Sequence, residues 1–96
     1  MFYTYMLKCS SRQSTTYYTG YTNDILRRVA EHSTGRGARF TKGKKLELVF
    51  YQTFSTQIEA MNRELEIKAM PRKKKEFLVH DVFVNELIVN ELNYHS

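Results

Sequence analysis

The sequence predicts a small α+β domain in which a three-stranded antiparallel sheet is flanked by helices in the order β-β-α-β-α-α. Three observations predict it. Two β-type segments, 2–8 and 15–21, lie too close together for a helical crossover, so they must pair antiparallel. A third β-type segment, 46–54, follows a short stretch of helical spacing, and two more helical stretches separated by Pro71 complete the order. At 96 residues, with 42% hydrophobic and 14% aromatic content, the chain has material for one core and no room for a second domain.

Taken in order, residues 2–8 and Thr15–Tyr21 mix aromatic, β-branched and apolar types without helical spacing, and polar Ser10–Ser14 joins them as a solvated hairpin loop. Asn23 is a good N-cap, Asp24 suits a first helical turn, and Ile25, Leu26 and Val29 begin a helical stripe that ends before Gly35. In Leu46–Phe54, alternation puts Leu46, Leu48 and Phe50 on one face and Val49 and Tyr51 on the other, so both faces are expected to be covered. Thr56 and Glu59 have capping-box spacing, and Ile58, Met61, Leu65 and Ala69 recur as an apolar stripe at helical spacing, which predicts the longest helix over 56–70. Pro71 suits the start of a further helix, Arg72–Val79. The boundary is placed at residue 80: residues 1–80 form the domain, and 81–96 form a C-terminal extension that is helical or partly disordered.

The net charge of +5 conceals an asymmetry. Residues 1–79 hold all 15 Lys and Arg against 7 acidic residues, a net of +8, whereas residues 80–96 carry 3 acids and no Lys or Arg. A cationic body points to a polyanionic partner. Two clusters concentrate the charge: the basic loop with Arg36, Arg39, Lys42, Lys44 and Lys45, and the run Arg72-Lys73-Lys74-Lys75. Together with Arg27 these are the expected nucleic-acid contacts, and binding through them should weaken steeply with salt. A single cysteine, Cys9, excludes an internal disulfide and a thiolate-rich zinc site. No stretch approaches the roughly 18 apolar residues of a membrane span, and the first eight residues carry no basic leader, so the expected location is the cytoplasm, away from membranes.

Several side chains have the chemistry of a phosphodiester hydrolase. On the first helix, Ile25, Arg28, Val29 and His32 fall within one sector of roughly 100°, with Arg27 and Glu31 pointing away. Arg28 therefore borders a buried face, where a guanidinium must be paired or aimed into a cleft. Tyr5 and Tyr18 stand on strands expected to pair, and Gly20 marks a place where a ligand or another chain segment comes close. Spacing alone does not single out Glu64 from Glu59 or Glu66, because Glu64 with Lys68 also has the i,i+4 spacing of an ordinary surface pair. Neither Glu59 nor Glu66 has the i,i+3 or i,i+4 spacing from Glu64 that would build a two-metal site.

Taken together, Tyr5, Tyr18-Thr19-Gly20, the segment 23–29, His32, the segment 35–41 and the segment 59–64 resemble the GIY-YIG endonuclease domain, over roughly residues 1–80. The likeness is to small stand-alone members related to structure-specific endonuclease subunits. It implies that Tyr18 or Tyr5 orients or deprotonates the attacking water with His32 assisting, that Arg28 stabilises charge on the phosphate, and that Glu64 holds Mg2+ or Mn2+. Two departures stand out: Tyr3-Thr4-Tyr5 replaces Gly-Ile-Tyr, and Thr19 replaces the usual apolar residue of the second motif. Tyr21 stands where some relatives place a lysine.

The resulting expectation is a metal-dependent DNA endonuclease that hydrolyses phosphodiester bonds by a one-metal mechanism, on branched, nicked or single-stranded DNA. Its place would be in DNA repair or recombination, alone or with a protein partner. The alternative is a non-catalytic nucleic-acid-binding module on the same scaffold, with Phe2, Tyr3, Tyr17 and Phe40 stacking bases. A third reading is an interaction subunit that uses the apolar tail Val82–Leu92.

Overall fold

The hairpin that opens the chain sets the architecture. In the computed structural model, which describes residues 1–33 and 44–79, β1 (Phe2–Ser10) pairs antiparallel with β2 (Thr15–Thr22), and the turn between them is held by Ser11. Its amide donates to the carbonyl of Ser14 at 2.9 Å, while its hydroxyl accepts from the amides of Gln13 and Ser14. The side-chain oxygen thus occupies the turn amides that the ladder leaves unpaired. β3 (Lys45–Phe54) adds to the other side of β1, also antiparallel, giving the order β2-β1-β3. β2 is therefore an edge strand, which matters for the site below.

Between β2 and β3 lies α1 (Ile25–Ser33). Its N-cap is Asp24, one residue later than the sequence suggested: Asp24 Oδ1 accepts from the amide of Arg27 at 3.1 Å, and the Asp24 carbonyl accepts from Arg28. The shift has a local cause. Thr22 Oγ1 accepts from the Asp24 amide at 3.1 Å and so forms a tight turn that takes up Asn23 before the helix can begin. α2 (Gln57–Lys68) starts at Thr56, whose hydroxyl accepts from the Glu59 amide and donates to the Glu59 carboxylate at 2.8 Å, as the Thr-x-x-Glu spacing predicts. Pro71 ends one helix and begins the next, its carbonyl accepting from Lys74 and Lys75 as α3 (Arg72–Val79) opens.

Each face of the sheet carries its own core. Tyr5, Leu7, Cys9 and Leu48 are buried on one face, with Tyr18, Ile25, Val29, Leu46 and Tyr51 packed around them. Met6, Val49, Phe50, Ile67 and Val79 are buried on the other, flanked by Tyr17, Met70 and Leu78. α1 covers the first face, and α2 and α3 cover the second.

Two sequence expectations fail here for identifiable reasons. Phe50 does not share a face with Leu46 and Leu48: the β1–β3 register slips between Met6 and Leu7, so Met6 faces Phe50 while Leu7 faces Leu48. Val49 is the extra residue of a β-bulge, which inverts the alternation and moves Phe50 to the α2 face and Tyr51 to the α1 face. The apolar stripe of α2 also points the wrong way. Ile58 and Leu65 are 69% and 62% exposed and Met61 is 39% exposed, while Ala60 and Ile67 are fully buried. The small Ala60 lets the helix backbone approach β1 closely enough for the buried Thr4 hydroxyl to donate to the Ala60 carbonyl at 2.7 Å. Arg63 reaches Gln52 on β3 from the same face at 3.0 Å. A close polar anchor decides the orientation that periodicity assigned to larger side chains. Arg36, Arg39 and Lys42 of the basic loop, Phe40, and the extension 81–96 with its tail Val82–Leu92 lie outside the described residues.

Candidate active site

Because β2 is an edge strand, side chains of opposite sheet faces can meet around its rim. Tyr18, Gly20 and Thr22 alternate onto the α1 face and Tyr21 onto the α2 face, and all four line one open cleft of about 470 Å³. Tyr5, Arg27, Arg28 and Glu31 join them from the α1 side. Glu64 joins them from α2, two turns or less from the Thr4 anchor at Ala60. Residues 5, 18, 28 and 64, spread through the sequence, therefore converge on one cleft. A bulky side chain at Gly20 would close it off: a Cβ there would lie 2.6 Å from the Tyr5 hydroxyl. The close approach suggested by this glycine is made by the Tyr5 ring, which lies across the β2 backbone.

His32 takes a different position. Its ring is 1% exposed and does not line the cleft; it sits behind both phenols, 3.0 Å from Nε2 to the Tyr5 hydroxyl and edge-on to the Tyr18 ring at 5.1 Å between centroids. Burial lowers its pKa below 6.5, and the positive charge of Arg28 lowers it further, so the imidazole is neutral near pH 7. Burial pushes Tyr5 up to about 12, against the opposing pull of Arg28, and the negative charge of Glu64 adds to the rise. Tyr18 is only partly buried and tilts against Tyr5 at 6.4 Å, with its ring at the cleft wall.

The charges of the cleft are paired within the chain. Glu64, whose side chain is 15% exposed, receives the Lys68 ammonium at 3.1 Å. Arg27 and Arg28 both approach the Glu31 carboxylate at 3.9 Å. Arg27 and Glu31 do point away from the core, as their helical positions require, yet the cleft curves around α1 to include them. Glu31 thus brings a second carboxylate to the cleft, which linear spacing could not reveal; Tyr21 and Thr22 were missed for the same reason.

Among the described residues, the other basic side chains do not line the cleft. Arg72 donates to the Thr15 carbonyl at 2.8 Å, pairs with Glu76 at 3.2 Å and lies over the Tyr17 ring, so it ties α3 to β2. Lys45 pairs with Glu47 at 3.8 Å, and neither Lys44 nor residues 73–75 line the cleft. Lys73 and Lys74 are exposed on α3.

This arrangement has known counterparts. The model of the GIY-YIG catalytic domain matches residues 1–76. The chain belongs to the GIY-YIG family. It is 49% identical over 80 residues to a UPF0213 protein of Natronomonas pharaonis, with 82% of this chain and 91% of that protein covered. It is 42% identical over 78 residues to the UPF0213 protein YazA of Bacillus subtilis, covering 80% and 76% respectively. The solution NMR structure of a UPF0213 protein from Bacillus halodurans superposes with a TM-score of 0.50 at 42% identity, covering 82% of this chain and 83% of that one. The three-stranded antiparallel sheet with its helices is the fold of this family, and the family membership gives the chain a nuclease-type scaffold.

The donor set suits one small hard cation. Among the described residues no cluster of three His, Cys, Asp or Glu could hold a metal by protein groups alone. Glu64 is one hard carboxylate donor at an open cleft, the kind of group Mg2+ or Mn2+ accepts, and the remaining ligands of such an ion would be water and substrate oxygens. No helix among the described residues is long and apolar enough to cross a membrane.

Proposed function

We propose that the protein is a metal-dependent endonuclease that cuts DNA phosphodiester bonds by a one-metal mechanism in the cleft at the β2 edge. The observation that carries this reading is the convergence of Tyr5, Tyr18, Arg28 and Glu64 on one cleft in a GIY-YIG fold. Domain 1–80 is the catalytic unit, with 81–96 as an appendage, and the location is cytoplasmic. Branched, nicked or single-stranded DNA fits an open cleft at a sheet edge better than a deep, closed pocket would.

In this reading Tyr18, at the cleft wall, is the phenol that orients the attacking water; it can accept that water's proton only as a phenolate, the form that the Arg28 guanidinium and a bound metal ion would favour. Tyr5 cannot readily do so: with its pKa near 12 and its hydroxyl against His32, it stays protonated and serves as a positioning residue. His32 acts through both rings without touching the phosphate, holding Tyr5 by a hydrogen bond and Tyr18 by edge contact. Arg28 turns from Glu31 to the phosphate, where its guanidinium stabilises the charge that develops on the non-bridging oxygens. A divalent ion held by Glu64 supplies Lewis-acid activation and charge neutralisation when bound. Arg27, Lys73, Lys74 and Lys75, with the loop residues Arg36, Arg39, Lys42, Lys44 and Lys45, contact flanking phosphates. Arg72, engaged with Thr15 and Glu76, contributes less than its neighbours.

The test is metal-dependent nicking of plasmid and branched DNA by wild type, Arg28→Ala and Glu64→Ala. Both variants should lose about a hundred- to thousandfold in rate, the usual cost of removing one electrostatic donor. Equal residual cleavage by all three proteins would assign the activity to a contaminant. Tight, salt-sensitive binding that Glu64→Ala leaves unchanged and that no cleavage follows would favour the non-catalytic module.

A further inference from the structure

The carboxylate that faces the phenols already has a cationic partner. Lys68 Nζ lies 3.1 Å from Glu64 Oε1, one turn further along α2, and the glutamate side chain is 15% exposed while that of the lysine is 52% exposed. The pair is asymmetric in three ways that bear on the cleft. Glu64 lines the cleft and Lys68 does not, so the lysine reaches the carboxylate from outside. Glu N-terminal to Lys at i,i+4 is the favourable order, and Lys68 stands in the last turn, where the helix dipole also favours a cation. Most importantly, Glu64 is largely enclosed and Lys68 is not: the glutamate stands one turn after the 2.7 Å Thr4–Ala60 bond that anchors α2, whereas half of the lysine side chain is exposed to solvent.

We propose that Lys68 is a positioning residue that sets the metal affinity of the cleft: its ammonium occupies the Glu64 carboxylate from outside the cleft, and a divalent cation binds that carboxylate by displacing it. Metal binding is then an exchange of one cation for another, not an addition to a bare carboxylate. The cost of the exchange has two parts, loss of the Lys68–Glu64 pair and repulsion between the displaced ammonium and the incoming ion. Both are partly screened because Lys68 is half exposed. Arg63, the other cation on α2, is not a substitute, since it is committed to Gln52 and Glu66 at 3.0 Å each.

The inference rests on the assignment of Glu64 as metal ligand in the proposed nuclease, and the experiment separates the two. Mn2+ binding to the full chain is measured by electron paramagnetic resonance, without DNA, for wild type, Lys68→Met, Lys68→Arg and Glu64→Gln. Lys68→Met should bind Mn2+ about three- to tenfold more tightly than wild type, and Lys68→Arg close to wild type. Glu64→Gln should lose binding. A lysine that merely stabilises the helix would not tighten metal binding when removed, so equal or weaker binding by Lys68→Met overturns the exchange while leaving Glu64 as ligand. If Glu64→Gln binds as wild type does, or if no protein binds Mn2+, the metal assignment fails and the inference fails with it.

Discussion

The two faces of the sheet are built differently. The face under α2 and α3 is filled by Met6, Val49, Phe50, Ile67 and Val79, and the buried Thr4 hydroxyl has one hydrogen bond to Ala60. The face under α1 buries Leu7, Cys9 and Leu48 beside a phenol and an imidazole that bond to each other, at Tyr5 and His32. One side is a conventional apolar core; the other places polar groups at its margin, satisfied by one another and edged by Arg28. The cleft opens where the two sides meet, around the outer rim of β2, with the polar side giving Tyr5, Tyr18 and the guanidinium and the apolar side giving Glu64 and Tyr21. Site chemistry thus draws on a core margin whose hydrogen bonds fix its side chains, while the opposite core provides the anchorage that fixes the carboxylate.

The two tyrosines offer the sharpest way to break that contrast. Tyr18→Phe, at the cleft wall, should reduce nicking about a hundredfold or more with little change in thermal stability, as removal of a proton-transfer group does. Tyr5→Phe should show the reverse balance. It leaves His32 Nε2 without the phenol in a buried site, costing about 1–3 kcal/mol of stability, with a smaller loss of rate. Denaturant unfolding and single-turnover nicking on both variants would reveal a reversal, and a Tyr5→Phe loss exceeding that of Tyr18→Phe would exchange the roles of the two phenols.

On the apolar face the comparison is between neighbours on α2. Ile67→Ala should destabilise the fold by about 2–5 kcal/mol, because it empties a fully buried site. Leu65→Ala should cost no more than about 0.5 kcal/mol, since that side chain is largely exposed. Similar losses from both would mean that the Ile58–Leu65 stripe is covered after all.

The last comparison is a titration. The folded state keeps the Tyr5 proton that an unfolded chain gives up near pH 10, so the stability tied to it is complete below about 10 and is lost as pH rises towards about 12. Burial has the opposite consequence for His32. Its lowered pKa means that the unfolded chain takes up the proton first, so stability present above about 6.5 falls as pH drops below that value. Tyrosinate absorbance should show one of the seven tyrosines ionising near 12, a phase absent from Tyr5→Phe. A uniform titration of all seven near 10 would place Tyr5 in contact with water.

Much of this was legible in the chain because it depends on neighbours in sequence. The start of α3, the Thr56–Glu59 cap, the hairpin pairing and the β-β-α-β-α-α order follow from local hydrogen bonding, proline and side-chain period, which act over a few residues. The candidate residues 5, 18, 28 and 64 were legible only as an ordered set, since each alone looks like packing or a surface pair. What the sequence could not decide depends on partners far along the chain. The bulge at Val49 sets the face of Phe50, the Thr4–Ala60 bond turns α2 against its own apolar stripe, and the edge position of β2 brings Glu31 and Tyr21 into the cleft. In each case a contact between distant segments outweighs a local preference worth a few tenths of a kcal/mol to about 1 kcal/mol, and only the folded arrangement creates that contact.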